Sequence, residues 1–234
     1  MKVKGYGHKI PVVYGIDYNT HDIPTYILSR GENYKTCVAY FKSLRLLNYP
    51  LQGMVCDDNI NIIQACRYIY PHSVIQICHN HYKENIRKNL QVRTDATYKS
   101  FMQSIETILG KKRSSLDLNH RARGIFNSYQ FDPRCSSILV DIQRREEVLF
   151  AYRNLKGLPV TTNLIECYNS HLQGRLKTIK GFESFKHANY WINAYFLRRR
   201  TKKMTDCSGK FKRLNGKTSL SKTQNLQIDT PIFF

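Results

Sequence analysis

Leu51-Gln52-Gly53-Met54-Val55-Cys56-Asp57-Asp58 and, a short way on, Ser73-Val74-Ile75-Gln76-Ile77-Cys78-His79-Asn80-His81 are the stretches on which the fold turns. Each holds a short apolar run closed off by polar residues, which suits a buried strand better than a helix. Between them Ile60, Ile63 and Cys66 recur at helical spacing, and the pattern stops before Pro71. Short buried strands alternating with helices make an α/β sheet.

Working outward, Lys9 to Asp17 (KIPVVYGID) and Ile23 to Ser29 (IPTYILS) read as two strands around the polar turn YNTHD, an antiparallel hairpin. A helix is predicted over about 33 to 46, with Val38, Phe41 and Leu44 on one face. A hairpin beside alternating strands and helices predicts a mixed sheet flanked by helices. From about 93 to 152 the pattern is helical throughout, weakest near 118 to 128. The linker KGLPVTT leads into a helix from Asn163, where Ile165, Tyr168, Leu172 and Leu176 share a face. A last helix is predicted over about 184 to 200, with Ala188, Trp191, Ile192, Tyr195 and Phe196 inward. Beyond it lies a basic tail rich in Ser, Thr and Asn.

The 234 residues carry 37 Lys and Arg against 17 Asp and Glu, a net charge of +20. Such an excess favours a polyanionic partner, nucleic acid first, through attraction and counterion release. No apolar run is long enough to span a membrane, and MKVKGYGHKI lacks the apolar stretch of a signal peptide. Seven cysteines without framework spacing, several inside apolar runs (Cys37, Cys56, Cys66), read as reduced and buried.

Three motifs carry chemistry. Asp57 ends a strand, where an α/β sheet binds ligands, although Asp57 or Asp58 could equally cap the helix that follows. Cys78-x-x-His81, with His79 beside it, offers zinc ligands. A structural zinc site needs four, however, and no second pair follows at suitable spacing. A buried Cys and a hydrogen-bonded His is the plainer reading. Asn163-x-x-Glu166 has the form of a capping box, the role that the local sequence favours. The densest basic run, Arg198, Arg199, Arg200, Lys202 and Lys203, continues through Lys210, Lys212 and Arg213. Its helix has an apolar face that holds it to the fold, so phosphate contact is the better reading than a merely solvated face. Arg175, Lys177 and Lys180 follow Glu166 closely and are further candidates for contact with a DNA strand.

Asp57, then Cys78 and His81, then Glu166 in Thr161-Thr162-Asn163-Leu164-Ile165-Glu166 with Asn169 and GRLKTIKGF after it, resemble the catalytic domain of cut-and-paste DDE transposases. The likeness is to the Mutator-like kind and its bacterial insertion-sequence relatives, and runs from about Pro11 to Lys203. The resemblance implies an RNase H-like core over 1–92, an all-helical insertion over 93–158, the C-terminal catalytic helices of the core over 159–203 and a basic tail over 204–234. It implies Asp57 and Glu166 as catalytic and metal-binding carboxylates, with Cys78, His81 and Asn163 as accessory active-site residues. The cofactor would be Mg²⁺ or Mn²⁺, two ions supporting hydrolysis and strand transfer at transposon ends. DNA ends and target DNA are the implied partners, with homo-oligomerisation in the full-length protein and no membrane. The implied setting is the cytoplasm, on the nucleoid, in a prokaryote and the nucleus in a eukaryote.

The family's first catalytic Asp lies on a strand before the one matched by KIPVVYGID, and MKVKGYGHK has no acidic residue. The first strand is therefore expected to be missing, together with the domain that binds the element's ends. Such a chain is expected to be weakly active or inactive, and the alternative is a non-catalytic DNA-binding remnant. Asp17, at the end of the next strand, is the conceivable substitute.

Overall fold

The computed structural model describes residues 1–226 and 228. The chain divides into two compact units. One, the terminal unit, comprises residues 1–50, 64–71 and 163 onward; the other, the inserted unit, comprises 51–63 and 72–162.

The terminal unit opens with β1 (Val12–Tyr14) and β2 (Tyr26–Leu28), antiparallel, with Val12 opposite Leu28 and Tyr14 opposite Tyr26. α1 (Tyr34–Leu46) follows, capped by Asn33, whose side chain accepts from the Thr36 amide. Both strands are shorter than their apolar runs. After Tyr14 the Tyr40 hydroxyl lies so close over Gly15 that a Cβ there would sit 2.6 Å from it. The chain then closes a turn in which the Asp17 amide donates to the Asp22 carbonyl at 2.8 Å.

In the inserted unit β3 (Gly53–Cys56) and β4 (Val74–Ile77) run parallel, in register from Gly53 opposite Val74 to Cys56 opposite Ile77. The connecting helix α2 (Ile60–Ile69) is shared between the two units. Gly53 has a packing reason to be glycine, because a Cβ there would lie 2.5 Å from Leu155 and 3.1 Å from Leu158. After α3 (His79–Asn89) the unit is all helix: α4 (Lys99–Leu109), α5 (Ser115–Tyr129), α6 (Pro133–Arg144) and the single turn α7 (Glu146–Leu149). The segment whose sequence signal is weakest forms a full helix. Only Leu118 and Ile125 of α5 are buried; the Ser114 cap and the pairs of Asp117 with Arg113 and Arg121 supply local support that apolar periodicity does not reveal.

The helices are anchored to β4 by buried polar side chains. Gln76, fully buried, donates to the Leu149 carbonyl at 2.6 Å and accepts from the Tyr152 amide at 3.0 Å. His79, also fully buried, has Nε2 2.6 Å from the same Leu149 carbonyl. Each would leave a costly unsatisfied group if its partner moved.

The terminal unit is completed by α8 (Asn163–Lys177), α9 (Phe185–Thr201) and α10 (Ser219–Asn225). Ile10, Ile23, Leu172, Phe182, Ala188, Ile192 and Phe196 make its core, with Tyr14 and Tyr26 rings 5.0 and 5.2 Å from Phe196. The basic tail is folded over its described part: a 3₁₀ segment (Gly209–Leu214) and α10 bury Leu214, Ser219 and Thr223. Residues 227 and 229–234 of that tail lie outside the described residues.

The class is thus mixed α/β, but the single mixed sheet expected from the sequence is not what the described strands form. They pair as two separate two-stranded sheets, β1 with β2 and β3 with β4. Three- and four-residue strands offer few ladder bonds, and β1 is ended early by the Gly15 contact and the Asp17–Asp22 turn.

Candidate metal centre and basic face

The parallel register of β3 and β4 builds the centre. Cys56 stands opposite Ile77, so the residues just beyond, Asp57 and Cys78, leave the two strand ends side by side, and the Cys78 amide extends the ladder to the Cys56 carbonyl at 2.8 Å. The first turn of α3 then brings His81 back over them, its Nδ1 2.8 Å from Asp57 Oδ1. Thr162 closes the group: its amide and hydroxyl lie 3.4 and 3.2 Å from Cys78 Sγ, and the hydroxyl is 3.3 Å from His81 Nδ1. The His79 amide holds this returning segment by donating to the Val160 carbonyl at 2.8 Å.

One oxygen, one sulfur and one nitrogen, from Asp57, Cys78 and His81, all lie within 4.8 Å of one another. Burial is graded: Cys78 is fully buried, whereas the His81 and Asp57 side chains are 42% and 56% exposed. The group therefore has a closed sulfur end and an open carboxylate end. Proton counting orders it. The contact with Asp57 calls for a proton on His81 Nδ1, so the single Thr162 hydroxyl proton goes to Cys78 Sγ.

The neighbours have other work. Asp58 pairs with Arg145 at 2.6 Å, and Arg145 also binds Asp141 at 3.0 Å. The helix cap falls to Asn59, whose side chain accepts from the Asn61 amide at 3.0 Å. His79, the third candidate in the Cys-x-x-His stretch, is committed to the Leu149 carbonyl.

Asn163 and Glu166 are exposed residues in the first turn of α8, in the terminal unit, whereas Asp57, Cys78 and His81 belong to the inserted unit. The helix includes Asn163, so the residue before it is Thr162 rather than the Asn of the capping-box reading. Asn169, two turns along from Asn163, accepts from the Tyr14 hydroxyl at 2.6 Å.

Two acidic residues near the turn after β1 are structural. Asp17 Oδ1 accepts from the Asn19 amide at 2.9 Å and from the Thr20 amide and hydroxyl at 2.7 and 2.9 Å, while Oδ2 accepts from Tyr49. Burial, then the Asp17 charge, pushes the Tyr49 phenol far up, so it remains a donor. Asp17 is thereby consumed in a turn. Asp22 is fully buried, with Arg200 Nε and Nη2 at 2.9 and 2.8 Å, Ser219 at 3.0 Å and Thr223 also donating to it.

This pairing corrects one assignment in the basic run. Arg200 is 3% exposed and committed to Asp22, so its guanidinium does not face a phosphate. The reason is periodicity: Ala188, Ile192, Phe196 and Arg200 are the buried residues of α9, each four apart on one stripe. Arg198, Lys202 and Lys203 are exposed, as are Arg175, Lys177 and Lys180. Arg199 is half-buried, its guanidinium 4.4 Å over the Tyr168 ring. All seven cysteines are free, five of them buried. Thr162 is the residue of the centre whose role the sequence reading missed; its only signal was its place beside Asn163.

No family model matches the chain. Two curated proteins do: the transposases for insertion sequence element IS256 in transposon Tn4001 from Staphylococcus aureus and from Enterococcus faecalis, each 25% identical over 183 residues. The aligned stretch is 75% of this chain and 45% of each relative, so the chain spans less than half the length of the relatives it matches. The likeness is to insertion-sequence transposases. Among the described residues no helix is long and apolar enough to cross a membrane.

Proposed function

We propose that this chain is part of the catalytic region of an insertion-sequence DNA transposase of the DDE kind, with Asp57 and Glu166 as metal-binding carboxylates on an RNase H-like core. The observation that carries the reading is an exposed carboxylate at the end of a half-buried parallel strand, oriented by His81, in a +20 chain similar to IS256 transposases.

Asp57 is a hard oxygen donor open to solvent, which suits Mg²⁺ or Mn²⁺ held by one or two carboxylates and its own waters. Asp57 and Glu166 would hold it, and the bound ion supplies charge stabilisation for phosphodiester cleavage and strand transfer. The chain's own residues do the rest. His81 donates to Asp57 and fixes the carboxylate's direction. Thr162 ties the start of α8 to Cys78. Arg175, Lys177, Lys180, Arg198, Arg199, Lys202 and Lys203 bind phosphates of transposon ends and target DNA, and the work of assembly is done by an oligomer of the full-length protein. Arg200 is left out of that set.

Two measurements test the reading. Incubated with Mg²⁺ or Mn²⁺ and a plasmid carrying the repeats that flank its own gene, the protein should cut weakly at most at the repeat ends, and Asp57→Asn or Glu166→Gln should each abolish whatever cutting is seen. Robust cutting by either variant sinks the carboxylate assignment. In duplex binding, Arg198→Ala with Arg199→Ala should lower the log–log salt slope by about 1.8, at about 0.9 per lost phosphate contact. An unchanged slope removes this face as the DNA contact. Binding with no cutting by the unaltered chain favours the DNA-binding remnant instead.

A further inference from the structure

We infer that Asp57, Cys78 and His81 form a binding site for a thiophilic divalent cation of the zinc class. The inference goes beyond the transposase reading and does not depend on it.

Donor chemistry is the first argument. A thiolate and an imidazole select zinc-like ions, whereas Mg²⁺ prefers oxygen alone. Asp57 serves either kind of ion; Cys78 and His81 favour one. Spacing is the second. Zinc bonds of about 2.3 Å to sulfur and about 2.0–2.2 Å to nitrogen and oxygen put tetrahedral ligand atoms between three and four ångströms apart. The three donor atoms already lie within 4.8 Å of one another, and the Asp57–His81 contact of 2.8 Å needs only to open slightly. The frame is the third. Cys78 and Asp57 leave adjacent ends of a parallel strand pair, and His81 is set by the first turn of α3, so the donors rest on regular elements rather than a loose loop.

On binding, the Cys78 thiol loses its proton to solvent and the sulfur takes up the cation. His81 moves its remaining proton from Nδ1 to Nε2, which frees the Nδ1 lone pair for the metal without a net proton change. The Thr162 hydroxyl, 3.2 Å from Sγ, continues to donate to the thiolate. A water would complete the tetrahedron beside these three protein ligands. Three protein ligands with one open position is the pattern of a reactive or exchangeable site rather than a closed structural one. Because Asp57 would be shared, a thiophilic ion and Mg²⁺ exclude each other there.

The test uses Co²⁺, whose spectrum reports its ligands. Titrating the purified chain should develop tetrahedral visible bands and a near-ultraviolet sulfur-to-cobalt charge-transfer band, saturating at one equivalent and erased by Zn²⁺. Cys78→Ser should remove the charge-transfer band, while Cys167→Ser with Cys207→Ser, the two cysteines that are not buried, should leave it intact. His81→Ala, at a half-exposed position that keeps the fold testable, should weaken Zn²⁺ binding by more than the roughly 10–100-fold that loss of an outer supporting partner causes. No charge-transfer band at excess Co²⁺ overturns the site, as does a band that survives in folded Cys78→Ser or an affinity unchanged in His81→Ala. DNA cutting is not read, so failure of the transposase reading would leave a positive result standing. Absence of the band would leave Mg²⁺-dependent cutting untouched.

Discussion

The two units each hold a carboxylate 2.8 Å from a basic side chain, in opposite surroundings. In the terminal unit Asp22 and Arg200 are fully or almost fully buried, and Ser219 and Thr223 add further donors to the carboxylate. In the inserted unit Asp57 and His81 are half-exposed at the end of a strand pair, next to a buried sulfur. Distance alone does not distinguish a locked pair from an exchangeable one. Burial does: a desolvated pair is locked because separating it is costly, whereas a solvated pair exchanges partners at little cost and can take up a ligand.

The largest effect should come from breaking the buried pair. Asp22→Ala leaves Arg200 charged and unpaired in the terminal unit's core and should cost about 3–5 kcal/mol of stability. Urea denaturation monitored by far-ultraviolet circular dichroism measures it, and a loss below about 1 kcal/mol would contradict the comparison. Replacing both partners with Leu should recover much of the loss.

A smaller effect should appear on acidification. Burial, opposed by the hydrogen bond to the Leu149 carbonyl, lowers the affinity of His79 for its proton from the ordinary 6.5, and burial lowers that of His21 as well. The unfolded chain then binds more protons than the folded one just below pH 6.5, so this contribution is fully present above that value and fades as pH falls toward each folded-state pKa. The thermal midpoint should drop on acidification from 6.5, and His79→Gln should flatten part of that drop, His21 retaining the rest. The same dependence on pH in His79→Gln and the unaltered protein would mean that His79 does not couple folding to protons.

The smallest effect on stability belongs to the exposed pair. Asp57→Ala should change stability by less than about 1 kcal/mol, because water already solvates both partners. A loss comparable to that of Asp22→Ala would make Asp57 a structural residue and remove the contrast between the two units.

Much of the local structure was legible without tertiary information. The GMVC strand falls on Gly53–Cys56 as read, the second strand within Ser73 to Cys78, α1 within 33 to 46, and α9 within a residue of 184 to 200. Short apolar runs carried the two strands and apolar periodicity the two helices. It carried less for α5, which is held by a cap and ion pairs, and nothing for the folded part of the tail, where buried Ser219 and Thr223 look like surface residues until Asp22 is placed against them.

By itself the sequence determined the α/β class, the order of its elements, the excess of positive charge and the positions at which Asp57, Cys78 and His81 leave their strands or enter a helix. These follow from spacing along one chain, and local physics reads spacing. Only the tertiary structure decided that the strands pair as two small sheets, that Arg200 points inward while Arg198 does not, and that Thr162 reaches Cys78 across 84 residues. Those outcomes depend on which distant group removes water from a polar side chain, and burial of that kind leaves no mark at the position it acts upon.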